Sequence, residues 1–154
     1  MTEIKMPKLA PVVCLLFAAS VTATAQNPRA AEGPRTRAER SKYLETSHYD
    51  DVTAFLEALH GRPELTFGSI GMTTEGRQIP YVIASRPRVS TPAEARRLNR
   101  PVVYVQANIH AGEVEGKEAL LAMLRDLTSS SQPNALDSIV LIAVPDYNAD
   151  GNER

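Results

Sequence analysis

Pro101-Val102-Val103-Tyr104-Val105-Gln106-Ala107-Asn108-Ile109 runs directly into His110-Ala111-Gly112-Glu113, and a helical pattern follows to Leu127. The first nine residues are almost continuously apolar, the pattern of a strand covered on both faces. In the next stretch Leu120, Leu124 and Leu127 recur at helical spacing and form an apolar stripe. A polar loop from Ser129 to Asn134 separates this helix from Ser138 to Val144, a second apolar run that reads as a buried strand. Strand, helix and strand in this order predict a right-handed crossover between parallel neighbours.

Upstream, Leu65 to Met72 and Ile79 to Ser85 flank the turn-forming Thr74-Glu75-Gly76-Arg77, which predicts a β-hairpin. Val52, Phe55, Leu56 and Leu59 share one face of a short helix capped by Asp50 or Asp51, which stops at His60-Gly61-Arg62-Pro63. Ser90-Thr91-Pro92-Ala93-Glu94 offers a cap, a first-turn proline and an early acid for a surface helix through Leu98. The nearby Arg86, Arg88, Arg96, Arg97 and Arg100 read as a solvated rim. Together these elements predict an α/β fold: a mixed, mostly parallel sheet with helices on both faces.

The first 25 residues differ in kind. Lys5 and Lys8 precede an apolar run from Leu9 to Val21, and Ala23-Thr24-Ala25 follows. This is the layout of a secretory signal peptide cleaved after Ala25. The run holds about 13 residues, short of the about 20 that a membrane-spanning helix needs. Residues 26–40, rich in Pro, Ala, Glu and Arg, read as a mobile leader, and residues 41–154 as the folded part. The expected location is secreted or periplasmic, with no membrane association after cleavage. The single cysteine, Cys14, lies inside the signal, so the mature chain would carry neither thiol nor disulfide. With 43% hydrophobic and 23% charged residues the composition suits a globular domain. The 17 basic and 18 acidic side chains nearly cancel, which leaves no basic field for a nucleic acid partner.

Chemistry is expected at His110 and Glu113. They flank a tight strand-to-helix turn at the carboxyl edge of the sheet, where open α/β folds place their sites. An imidazole nitrogen and a carboxylate so placed can reach one metal ion, and zinc accepts this mixed set. A plainer reading makes His110 a hydrogen-bonded strand-end residue and Glu113 a first-turn acid facing the helix dipole. His48 and Asp51 repeat the spacing, but the aspartates there are better explained as caps.

Residues from about Tyr43 to Gly151 resemble the opening of M14 family zinc carboxypeptidases. The resemblance rests on four elements in order: Tyr43-Leu44-Glu45-Thr46; Phe67 to Arg77; Asn108-Ile109-His110-Ala111-Gly112-Glu113; and Pro145 with Asn148-Ala149-Asp150-Gly151. The family shows a similar Gly-x-Ser/Thr-x-Glu-Gly-Arg hairpin, a His-x-x-Glu zinc pair, and Asn-Pro-Asp-Gly after the next strand. The resemblance implies that His110 and Glu113 are the first two zinc ligands, with Zn2+ as cofactor and peptides or proteins as substrates. It implies that the third ligand, a histidine, the substrate-binding residues and the glutamate general base fall beyond Arg154. No catalytic residue is therefore assigned within the chain, and residues 1–154 alone are expected to be inactive. The sequence departs from the best-known members at Gly112, where they carry a substrate-contacting arginine, and at Ala149, where proline is common. A related zinc deacylase of the succinylglutamate desuccinylase and aspartoacylase type, with a similar His-Gly-x-Glu opening, is the second reading, and a non-catalytic fragment the third. Asn148-Ala149-Asp150-Gly151 and the export signal favour the peptidase.

Overall fold

The computed structural model describes residues 33–129 and 131–154. The expected signal segment and residues 26–32 lie outside the described residues. Among the described residues four strands form one mixed sheet in the order β1-β2-β4-β3: β1 (Leu65–Met72), β2 (Gln78–Ala84), β3 (Val102–Gln106) and β4 (Val140–Val144). β1 and β2 make the expected hairpin, β2 pairs antiparallel with β4, and β4 pairs parallel with β3. One of the three pairings is thus parallel, and it is the pairing that the crossover helix spans.

Among the described residues four α-helices accompany the sheet: α1 (Arg37–Arg40), α2 (Tyr49–Glu57), α3 (Pro92–Leu98) and α4 (Val114–Thr128). The starts of α2 and α3 are explained locally. The Asp51 carboxylate reaches back to the His48 N–H at the head of α2, and Thr91 with Glu94 closes a capping box around Pro92 in α3. Val52, Phe55, Leu56 and Leu59 are buried as their spacing predicted, against Val82, Ala84, Leu141 and Ala143 of the sheet. α4 packs on the same side through Leu120, Leu121 and Leu124. Leu121 replaces the expected Leu127 in the deepest row, and Leu127 is only partly buried at its margin.

Two expectations change. Among the described residues β3 is covered less than expected: Val102, Val103 and Tyr104 are exposed. Its apolar run signals membership of the sheet, and among the described residues β4 is its only strand neighbour, which leaves β3 last in this four-stranded order. β4, flanked by β2 and β3, is the buried strand. Residues 33–40, read as the end of a mobile leader, are packed. Thr36 and Ala38 are buried, Glu39 pairs with Arg125 at 2.6 Å, and Arg37 and Arg40 both bridge to Asp51. The ion pairs hold a stretch whose composition carries no apolar period, which is why periodicity missed it.

Candidate metal centre

The register of β3 on β4, Val102↔Val140 through Gln106↔Val144, brings the two strands to one carboxyl edge. Backbone bonding continues past the strand ends: Ala107 N–H donates to Val144 O, Tyr147 N–H to Ala107 O and Asn148 N–H to Asn108 O. Residues 107–113 and 145–152 therefore leave the sheet side by side. Asn108 turns the chain with φ 54°, a left-handed geometry that asparagine tolerates. Gly112 turns it again with φ 91°, where a side chain would be strained. Gly116, inside α4, lets the helix close on the strand end, since a Cβ there would stand 3.2 Å from the Ala107 Cβ.

This turn brings together the two residues singled out in the sequence. His110 Nδ1 and Glu113 Oε1 stand 2.9 Å apart, and Glu113 Oε2 accepts the His110 backbone N–H at 3.2 Å. Both side chains are exposed. The hydrogen bond from the His110 ring, then that from its backbone N–H, holds the Glu113 carboxyl below its ordinary range and therefore anionic. One nitrogen and one oxygen donor stand beside each other on a solvent-open turn, a pair of the kind that zinc accepts. Among the described residues no third His, Cys, Asp or Glu joins them in a metal-holding group. His48 faces Glu153 and His60 faces Glu57, both away from the pair.

Beneath the turn lies a polar cluster that sequence reading missed. Asn108 Nδ2 donates to Asp146 Oδ1 at 2.7 Å and to Asn152 Oδ1 at 3.3 Å. The Lys117 ammonium donates to Asn152 Oδ1 and to the Ser47 carbonyl. Asn108, Lys117 and Asp146 are all buried. Burial pushes the Asp146 carboxyl up, against the Asn108 hydrogen bond and the attraction of Lys117. Burial likewise pushes the Lys117 ammonium down, against the pull of Asp146, Glu118 and Glu153. The available signal was Lys117 itself, a charge lying three and four residues before Leu120 and Leu121 on the buried stripe. Glu118 accepts from Thr46 and from the Ser47 N–H and ties α4 to the entry of α2.

The loop after β4 is braced from both sides. Asn148 Nδ2 donates to the Ile109 carbonyl at 3.2 Å, immediately before His110, while its Oδ1 accepts the Gly151 N–H. Asp150 bonds the hairpin turn through Arg77, Thr74 and the Glu75 N–H, and Arg154 joins the same turn by a bridge to Glu75. Partial burial would raise the Asp150 carboxyl, but hydrogen bonds from Thr73, Arg77, Glu75 and Thr74 outweigh it and hold its pKa at about 2, against an ordinary 3.8. A depressed folded-state pKa stabilises the fold above the ordinary value, and that contribution is lost as pH falls towards the folded value. Asp150→Asn should therefore weaken the chain at pH 7 and flatten its loss of stability between about pH 4 and about pH 2. Urea midpoints of both chains across that range test this; parallel curves would refute it.

A family model for zinc carboxypeptidases, Peptidase M14, matches residues 52–154. Human carboxypeptidase D is 32% identical over 114 residues, covering 69% of this chain and 8% of the relative. A probable carboxypeptidase 2 of Trichophyton verrucosum is 33% identical over 79 residues, covering 50% of this chain and 15% of the relative. Among solved structures, carboxypeptidase A from Helicoverpa armigera superposes with a TM-score of 0.57 at 26% identity, over 69% of this chain and 25% of that one. A metallo-carboxypeptidase from Burkholderia cenocepacia gives 0.55 at 23% identity, a likeness of fold, over 67% of this chain and 27% of that one. The chain thus spans a minor part of the length of each of these proteins. Sequence and fold agree: this chain belongs to the Peptidase M14 family of zinc carboxypeptidases.

Proposed function

We propose that the protein is a zinc-dependent metallocarboxypeptidase that removes residues from the carboxyl end of peptides or proteins, and that His110 and Glu113 hold its metal. The observation that carries this reading is the 2.9 Å approach of His110 Nδ1 to an anionic Glu113 carboxylate at the carboxyl edge of the sheet. When bound, zinc supplies Lewis-acid polarisation of the scissile carbonyl and a water of lowered pKa. The chain's own part is to fix two donors. Gly112 sets the turn, Glu113 stands at the head of α4, and Asn148 holds the carbonyl that precedes His110. The third ligand and the glutamate that takes the water's proton are assigned to residues beyond Arg154.

Residues 1–25 act as an export signal in this reading, which places the enzyme in the periplasm or outside the cell. Among the described residues no helix is long and apolar enough to cross a membrane. The folded domain of the proposal begins by Gly33.

The test is an assay of the polypeptide translated to its natural stop codon. Peptides of varied carboxyl-terminal residue should be trimmed from that end, with activity lost to a chelator and restored by zinc. Release of acyl groups from N-acyl amino acids with no peptide trimming would favour the deacylase reading instead.

A further inference from the structure

We propose that Lys117 is a positioning residue for the metal pair, through the buried cluster it forms with Asn152, Asn108 and Asp146. The inference rests on the reading that His110 and Glu113 hold the ion. The pair sits on an exposed turn whose own bonds are few: the ring-to-carboxylate contact, His110 N–H to Glu113 Oε2, and Glu113 N–H to His110 O. What fixes its two arms relative to each other lies underneath. One arm is Asn108, two residues before His110, and the other is α4, whose first turns carry Glu113 and, four residues on, Lys117.

Both arms meet at the Asn152 carboxamide oxygen, which accepts from Asn108 Nδ2 and from the Lys117 ammonium. The same ammonium donates to the Ser47 carbonyl, which also accepts from Asn152 Nδ2 at 3.2 Å. Lys117 is fully buried although lysine is among the residues least often found inside. Asp146 is also fully buried, the Lys117 charge attracts it, and its Oδ2 finds no hydrogen-bond partner among the described residues. Removing the ammonium would leave Ser47 O and Asn152 Oδ1 short of a donor and Asp146 without the buried positive charge near it. Buried polar groups without partners are relieved by local opening. The opening would fall where the cluster touches the chain, at residues 107–113 and 145–152. Supporting residues around a metal alter its affinity by orienting ligands they do not replace.

Amide hydrogen exchange on the metal-free chain, alongside zinc titration, separates this role from ordinary stability. Lys117→Met should speed exchange at Ala107, Glu113, Tyr147 and Asn148 by at least about tenfold, leave the β1–β2 hairpin as in the wild type, and weaken zinc about 10- to 100-fold. Lys117→Arg, which keeps the charge and donors, should restore most of both. Wild-type exchange in the ligand segments of Lys117→Met, or acceleration spread equally into the hairpin, would overturn the proposal. If Lys117→Met does not fold, Asn152→Ala decides instead, since it breaks the link between the arms and leaves both charges; unchanged local exchange there overturns the proposal. A wild-type chain that takes up no zinc would defeat the metal reading, and the exchange result would still decide whether Lys117 sets the turn.

Discussion

Replacing His110 with alanine is expected to reduce zinc affinity by more than about 100-fold, beyond the about 10- to 100-fold that loss of a supporting residue brings. Glu113→Gln should do the same, because a neutral amide replaces the carboxylate that the His110 hydrogen bonds keep anionic. His48→Ala and His60→Ala should bind as the wild type, since each ring faces its own glutamate rather than the pair. Competition against a chromophoric chelator at neutral pH measures all four. The His110 and Glu113 side chains are exposed, so thermal unfolding of the metal-free variants should stay close to that of the wild type. Loss of zinc from His48→Ala or His60→Ala with retention by His110→Ala would place the ion elsewhere.

The second large effect concerns the fold. Leu124 is fully buried in α4 against the sheet and α2, and truncation to alanine should cost about 2–5 kcal/mol. A domain of this kind has about 5–15 kcal/mol in total, so Leu124→Ala would leave a substantial unfolded fraction or none of the native state at modest urea. Met123, one position away on the solvent side, is the control: Met123→Ala should stay within about 0.5 kcal/mol. Urea midpoints measure both. Equal effects at the two positions would mean that α4 does not present this face to the core.

The contrast between those neighbours shows what the sequence made legible. Helical spacing of Leu120 and Leu124 told which side of α4 is buried, and the turn chemistry at Gly76 and the cap at Thr91 fixed the hairpin and α3 closely. The meeting of His110 and Glu113 was legible because an apolar strand, a glycine bend and an amphipathic helix put them on one turn. What escaped were features that depend on partners distant in sequence. An apolar run says that β3 joins the sheet, but not which strands lie beside it; contacts distant in sequence decide that. Arg37, Arg40 and Glu39 fold residues 33–40 onto Asp51 and Arg125, contacts that no local pattern announces. Lys117 drew no reading in the sequence, and only its placement beneath the turn, bonded to Asn152 and Ser47, reveals it as buried. For β3 and α4 local periodicity was right about the element and silent about its environment; at residues 33–40 it gave no element.

The most direct measurement is anomalous diffraction at the zinc edge from crystals of the protein grown with zinc. One ion should lie within about 2.0–2.2 Å of both a ring nitrogen of His110 and a carboxylate oxygen of Glu113. An ion bound at His48 and Glu153, or a map in which His110 and Glu113 turn apart with no ion between them, would contradict the assignment.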